Sequence, residues 1–211
     1  PETIKFILNG ALPRRVMSKD VLLYIAGKYT GEVAQYKAVE FTGVAAKEMS
    51  IASRMTMSNM GVEIVAQFAF FEADEKTLDF LKGRTKEVFT PVKSDADAIF
   101  EQVCYLEVSN LEPQVACPSS PGNVAPVSRV GDVPIDQAVI GSCTNGRIDD
   151  LRLAAKVLKG RRAAKGVRLI VIPATPLVYR QAMDEGLMAI FLDAGAVISP
   201  PTCGPCLGGH M

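Results

Sequence analysis

The stretch "QAVIGSCTNGRIDDLRLAAKVLKGRRAAKGVRLIVIPAT" at 137–175 decides the fold. Its opening "QAVIGSC" is a short apolar run ending at glycine, as a buried strand does. "TNGRIDDLRLAAKVLKG" then sets Ile148, Leu151, Ala155 and Leu158 on one helical face. Asp149 and Asp150 fall in the first turn, where the helix dipole favours negative charge, and Gly160 ends it. "GVRLIVIPAT" is a second strand. Thr175 caps the helix that follows, with Pro176 at its first position. After another short helix, "AVISPP" (196–201) is a third strand. Strands alternating with helices predict a parallel sheet with right-handed crossovers.

Working back toward the start, the same alternation recurs. "TIKFILNG" (3–10) reads as a strand, and Ser18 is placed to cap the helix "KDVLLYIAGKYTG". "YKAVEFTG" (36–43) is a strand, "KEMSIASRMTMSNMG" a helix, "VEIVAQFAFFEA" a strand and "DEKTLDFLKGR" a short helix. Met49, Met55, Met57 and Met60 are read as helix packing. From 84 to 137 regular signals thin out, apart from a strand at 102–109. Prolines at 113, 118, 121, 126 and 134 make 111–134 irregular. The reading is an α/β chain of layered α/β/α domains with largely parallel sheets. One domain covers 1–90, an irregular connector 91–134 and a second domain 135–211.

Composition narrows the function classes. Lysine plus arginine and aspartate plus glutamate number 23 each, so no global positive field recruits nucleic acid. No apolar run approaches the ~20 residues that span a bilayer, and the opening residues carry no signal-peptide pattern. Five cysteines are an odd number, in a chain long enough not to need disulfide staples. That usage predicts a reducing cytoplasm and some cysteines used chemically.

Three of those cysteines are placed to meet. Cys143 follows the strand at 138–141, and Cys203 and Cys206, in "PPTCGPCLGGHM" (200–211), follow the strand at 196–199. A parallel sheet gathers its carboxyl strand ends on one edge, where ligand sites form. Cys143 also precedes a predicted helix N-terminus, which favours thiolate. Converging thiolates suit an iron–sulfur cluster or zinc, and a CxxC pair alone suits redox exchange. Zinc wants a fourth ligand, for which Cys117 or His210 is available. Residue type and topology leave the three readings open. Cys104, inside a strand pattern, is read as a small core residue. His210, near the end of the sequence, reads otherwise as a surface residue.

Resemblance discriminates among them. "GSCTNGRIDDLR" (141–152) with "PPTCGPCLGGHM" (200–211) resembles the iron–sulfur signature pair of the aconitase superfamily. "SRMTMSNMGVEIVA" (53–66) resembles its segment carrying an active-site glutamate, and "LEPQVACPSSPGNVAPV" (111–127) its connector into the cluster domain. "GRIDDLR" is most similar to the 3-isopropylmalate dehydratase and homoaconitase large subunits. The resemblance implies a [4Fe–4S] cluster on Cys143, Cys203 and Cys206, with one iron lacking a cysteine. It implies Glu63 as a proton-transfer carboxylate, and Asn59 and Asn145 as polar groups orienting cluster or substrate. The implied activity is a hydro-lyase that interconverts 2- and 3-isopropylmalate in leucine biosynthesis. The implied alternatives are homoaconitase or a cluster-binding chain without turnover. A small dehydratase subunit is the implied partner, with no nucleic acid and no membrane.

Two departures accompany the resemblance. "VEIVAQFAFF" lacks the small residues that usually follow the family's glutamate. Further family histidine and aspartate residues precede the point matching Pro1, and arginines and an asparagine follow the point matching Met211. The expectation is an internal portion of a large subunit, inactive by itself.

Overall fold

A computed structural model describes residues 2–209. Two units divide the chain, Pro1–Gly131 and Asp132–Met211.

The first unit is built on a four-stranded parallel sheet. Its strands are β1 (Thr3–Asn9), β2 (Ala38–Thr42), β3 (Phe68–Phe71) and β4 (Gln102–Glu107), in the order β3-β2-β1-β4. Its helices are α1 (Ser18–Tyr29), α2 (Val44–Glu48), α3 (Ile51–Asn59) and α4 (Glu75–Leu81). Alternation along β1 turns Ile4, Phe6 and Leu8 to one face, and register sets Phe6 opposite Phe41 and Cys104. Val21, Leu22 and Ile25 of α1 close over that face, with Met49, Met57 and Met60 in the same core. Cys104 is buried as the sequence predicts, and burial pushes its thiol up from the ordinary value.

Several local expectations are corrected. Asp20, not Ser18, closes the start of α1: its carboxylate accepts from the Met17 N–H at 2.7 Å, and Ser18 is the first helical residue. The helix expected over 47–61 breaks between Glu48 and Ile51. There Ser50 caps α3 by accepting from the Ser53 N–H at 3.2 Å. The strand expected over 62–73 shrinks to β3. Met60–Ile64 is instead a 3₁₀ turn ended by Val65 in left-handed conformation (φ 58°). Contacts from distant sequence hold it: Ile64 and Val65 carbonyls accept from the Ala34 and Tyr36 N–H groups. The irregular 111–134 span contains a small antiparallel ribbon, β5 (Gln114–Ala116) with β6 (Val124–Pro126).

The domain boundary near Thr90 is also corrected. β4 returns to pair with β1, so residues 91–131 belong to the first unit, and the division falls at Gly131–Asp132.

The second unit is a three-stranded parallel sheet in the order β7-β8-β9. The strands are β7 (Gln137–Gly141), β8 (Arg168–Ile172) and β9 (Ala196–Ile198). Between β7 and β8 run a one-turn helix, α5 (Ser142–Asn145), and α6 (Ile148–Leu158). α7 (Pro176–Asp184) and α8 (Leu187–Asp193) connect β8 to β9. Thr175 caps α7 as predicted, accepting from the Val178 N–H at 3.2 Å. Leu151 and Ala155 of α6 are buried with Val171 and Phe191, while Ile148 and Leu158 pack at the margin. Among the described residues no helix is long and apolar enough to cross a membrane.

Candidate functional site

The carboxyl edge of the second sheet is where chemistry-bearing residues gather. β7 ends at Gly141, whose φ of +123° is open only to glycine. A Cβ there would stand 1.9 Å from the Ile172 carbonyl oxygen, so the chain leaves β7 pressed against β8. Ser142 follows in left-handed conformation (φ 61°), and Cys143 sits inside the α5 turn rather than ahead of a long helix. Gly146 interrupts the helix expected over 144–160; its carbonyl accepts from the Ala174 N–H at 2.8 Å, tying the exits of β7 and β8 together.

On the other side of β8, the exit of β9 brings up the CxxC pair. The Ser199 N–H donates to the Val171 carbonyl at 3.0 Å, which holds that exit to the same edge. Cys203 precedes a short 3₁₀ turn, Gly204–Leu207, that contains Cys206. Its N–H donates to the Cys203 carbonyl at 2.7 Å. All five cysteines are free thiols, and Cys143, Cys203 and Cys206 are exposed.

The three are neighbours. The Cys143 sulfur facing Cys203 is the largest cause raising the Cys203 thiol. Partial desolvation, a hydrogen bond with Cys143 and the charge of Cys206 add to it. Cys206 Sγ donates to Ser142 Oγ across 3.6 Å, joining the two strand exits directly. Among the described residues no group of three His, Cys, Asp or Glu is drawn together tightly enough to hold a metal ion. The tetrahedral zinc reading needs four sulfurs or nitrogens at ~2.0–2.3 Å from one ion. An iron–sulfur cluster places each cysteine on a different iron and needs the thiols adjacent but apart. The donor set, three exposed sulfurs on one edge, is compatible with such a cluster, and soft sulfur suits zinc as well. His210 lies outside the described residues, and Cys117 belongs to the first unit.

Polar groups behind Cys143 are organised by Asp150. Its carboxylate accepts from Asn145 Nδ2 at 3.2 Å and from the Arg147 N–H, closing the start of α6, at 3.1 Å. Burial raises the Asp150 pKa against the lowering effect of those donors. Arg147 Nη2 donates to the Cys143 carbonyl at 3.4 Å. Among the described residues Asn145 Oδ1 and Arg147 Nε are buried without a hydrogen-bond partner, which marks the ground beside Cys143 as unfinished. The roles of Arg147 and Asp150 were missed from sequence, although Asp150 stands at capping-box spacing after Arg147.

In the first unit, Glu63 is half-buried on the 3₁₀ turn, not at a strand end. It lines a cleft of about 620 Å³ with Lys19, Leu23, Met60 and the 114–121 segment, Cys117 included. That volume is in the range of small-molecule sites, roughly 300–1,000 Å³. Asp20 ties the cleft-lining 114–121 segment to α1, because its second carboxylate oxygen accepts from the Gln114 N–H at 2.7 Å. Asn59, at the end of α3, is exposed. A smaller depression of about 370 Å³ between Tyr24, Lys28 and Glu112 holds none of the sequence-predicted residues.

The comparisons with known proteins agree on one family. A model described as the aconitase family (aconitate hydratase) matches residues 1–133 and 127–211. The chain is 54% identical over 211 residues to the 3-isopropylmalate dehydratase large subunit of Syntrophus aciditrophicus. It is 52% identical over 213 residues to large subunit 1 of the same-named enzyme from Pyrococcus furiosus, and 50% identical over 211 residues to the large subunit from Halothermothrix orenii. Each match covers 100% of this chain and 50% of the relative, so the chain spans about half the length of the relatives it matches.

Proposed function

The chain belongs to the aconitase family, and from that premise we propose that it is part of the large subunit of a 3-isopropylmalate dehydratase. The observation that carries the reading is the juxtaposition of Cys143, Cys203 and Cys206 at one sheet edge, within a chain similar throughout to enzymes of that name. Family membership implies an iron–sulfur cluster. In this reading the three cysteines hold a [4Fe–4S] cluster, one iron of which has no cysteine. When bound, that group supplies a Lewis acid that eases departure of a substrate hydroxyl.

The chain's own residues supply the rest of this half's contribution. Cys143, Cys203 and Cys206 ligate as thiolates, the two strand exits fixing their spacing. Asp150 holds Asn145 and Arg147, so that Asn145 Oδ1 and Arg147 Nε present an acceptor and a donor beside Cys143. The Glu63 carboxylate is assigned to proton relay at the substrate oxygen, as the hydroxyl leaves during dehydration and as water adds during rehydration. General acid–base transfer of this kind contributes about 10²–10⁴-fold. Asn59 is assigned to substrate orientation. The partner is a small subunit, as the relatives' naming as large subunits suggests, and the substrate is a 2-hydroxy acid. An odd number of cysteines, in a chain long enough not to need disulfide staples, supports a reducing cytoplasm.

The test is anaerobic reconstitution with iron and sulfide, followed by assay of the complete large subunit with its small subunit. About four irons and sulfide-dependent visible absorbance per chain, with turnover of 2-isopropylmalate in preference to homocitrate, support the reading. Tight stoichiometric zinc without sulfide-dependent absorbance overturns it.

A further inference from the structure

We propose that Ser142 is a positioning residue for Cys206, its hydroxyl holding the Cys206 sulfur and donating a hydrogen bond to it once a cluster is ligated. The proposal rests on the reading above that Cys206 is a cluster ligand. Ser142 is 4% exposed, and its Oγ lies 3.6 Å from Cys206 Sγ. The free thiol is the donor in that contact. A ligating sulfur has lost its proton and can only accept, whereas a hydroxyl can do either. Rotation of the Ser142 O–H reverses the direction of the bond.

The backbone argues that the hydroxyl is why serine stands there. Ser142 has a φ of 61°, a conformation that strains any residue with a Cβ. Glycine would relieve the strain but would offer nothing to Cys206. The neighbours hold Ser142 rigidly in that state. Gly141 before it is pressed against the Ile172 carbonyl, and the Ser142 carbonyl accepts from the Gly146 N–H at 2.9 Å. A strained, buried hydroxyl aimed at the sulfur of a residue on another strand exit is placed for that sulfur. Hydrogen bonds to cluster sulfurs favour the reduced form, which carries more negative charge on sulfur. Ser142 therefore raises the cluster's reduction potential and slows loss of the iron that Cys206 holds.

Ser142→Ala removes the hydroxyl and keeps the strain; Ser142→Gly removes both. The 211-residue chain and both variants are reconstituted anaerobically, then followed by electron paramagnetic resonance during redox titration and by iron release to a chelator. Both variants should show a lower reduction potential and several-fold faster iron release. Ser142→Gly should also unfold at a higher temperature than Ser142→Ala. Unchanged potentials and release rates overturn the proposal, as does a Ser142→Gly protein indistinguishable from wild type in both readouts, which would show the hydroxyl to be dispensable. Should Ser142→Ala fail to fold, Ser142→Gly decides the matter alone. A wild-type chain that takes up no iron and sulfide overturns the cluster reading itself, and this proposal with it.

Discussion

Arg54 Nη2 stands 2.6 Å from Asp74 Oδ2, and the pair fastens α3 to the start of α4. The guanidinium is deeply buried and also donates to the Lys47 carbonyl at 3.0 Å, while Asp74 is partly exposed. The hydrogen bond from Arg54 is the main reason the Asp74 carboxyl is held well below the usual carboxylate range.

A carboxyl depressed in the folded state stabilises the fold above its unfolded pKa, about 4, and the contribution fades as pH falls toward the folded value. Asp74→Asn keeps a capping side chain at the start of α4 but leaves Arg54 unpaired. We expect it to cost about 2 kcal/mol at pH 7, since a buried charge loses its partner. Chemical denaturation across pH should show the wild-type advantage constant above about pH 5 and shrinking through pH 4 and below. An advantage that grows in acid would contradict the assigned sign.

The cysteines separate by position in the fold. Cys143→Ala, Cys203→Ala and Cys206→Ala should each abolish stable cluster assembly, read as iron per chain after gel filtration. Cys104→Ala removes a sulfur from the first core and should lose less than about 2 kcal/mol with the iron content unchanged. Cys117→Ala should also retain iron. Loss of iron in that variant would indicate a fourth cysteine ligand, and the open iron would be gone.

Gly141 is the stringent point of the second unit. A Cβ there would meet the Ile172 carbonyl, and β8 cannot retreat because it pairs with β7 on one side and β9 on the other. Gly141→Ala should lose roughly 3–5 kcal/mol from overpacking plus backbone strain, enough to unfold this unit. Gly166, with a φ of +93° but open space around it, is the control; alanine there should cost only about 1 kcal/mol. Circular dichroism melts of both variants make the comparison.

Glu63→Gln preserves shape and removes the proton-transfer capacity. In the complete enzyme with its small subunit, kcat should fall by about 10²-fold or more while the visible spectrum of the cluster stays unchanged. Retained turnover would return Glu63 to the role of a cleft-wall carboxylate.

Much of this was legible residue by residue where the determining forces are local. Strands β1, β2, β7 and β8 and helices α1, α6 and α7 announce themselves by apolar period, and Thr175 with Pro176 marks the start of α7. The order Cys143, then Cys203 with Cys206, on exits of parallel strands was enough to predict a shared edge, because parallel connection leaves no other place for those ends. Tertiary contacts decided the rest. "VEIV" at 62–65 looks like a strand, yet it turns because the backbone around residues 34–36 captures its carbonyls. β4 reads as part of a connector until its pairing with β1 is known. The Ser142 hydroxyl meets the Cys206 sulfur across 64 positions of chain, and Asp74 meets Arg54 across 20. Periodicity and capping act within a few residues and leave a pattern in the sequence; a single bond between distant side chains leaves none until the fold has brought them together.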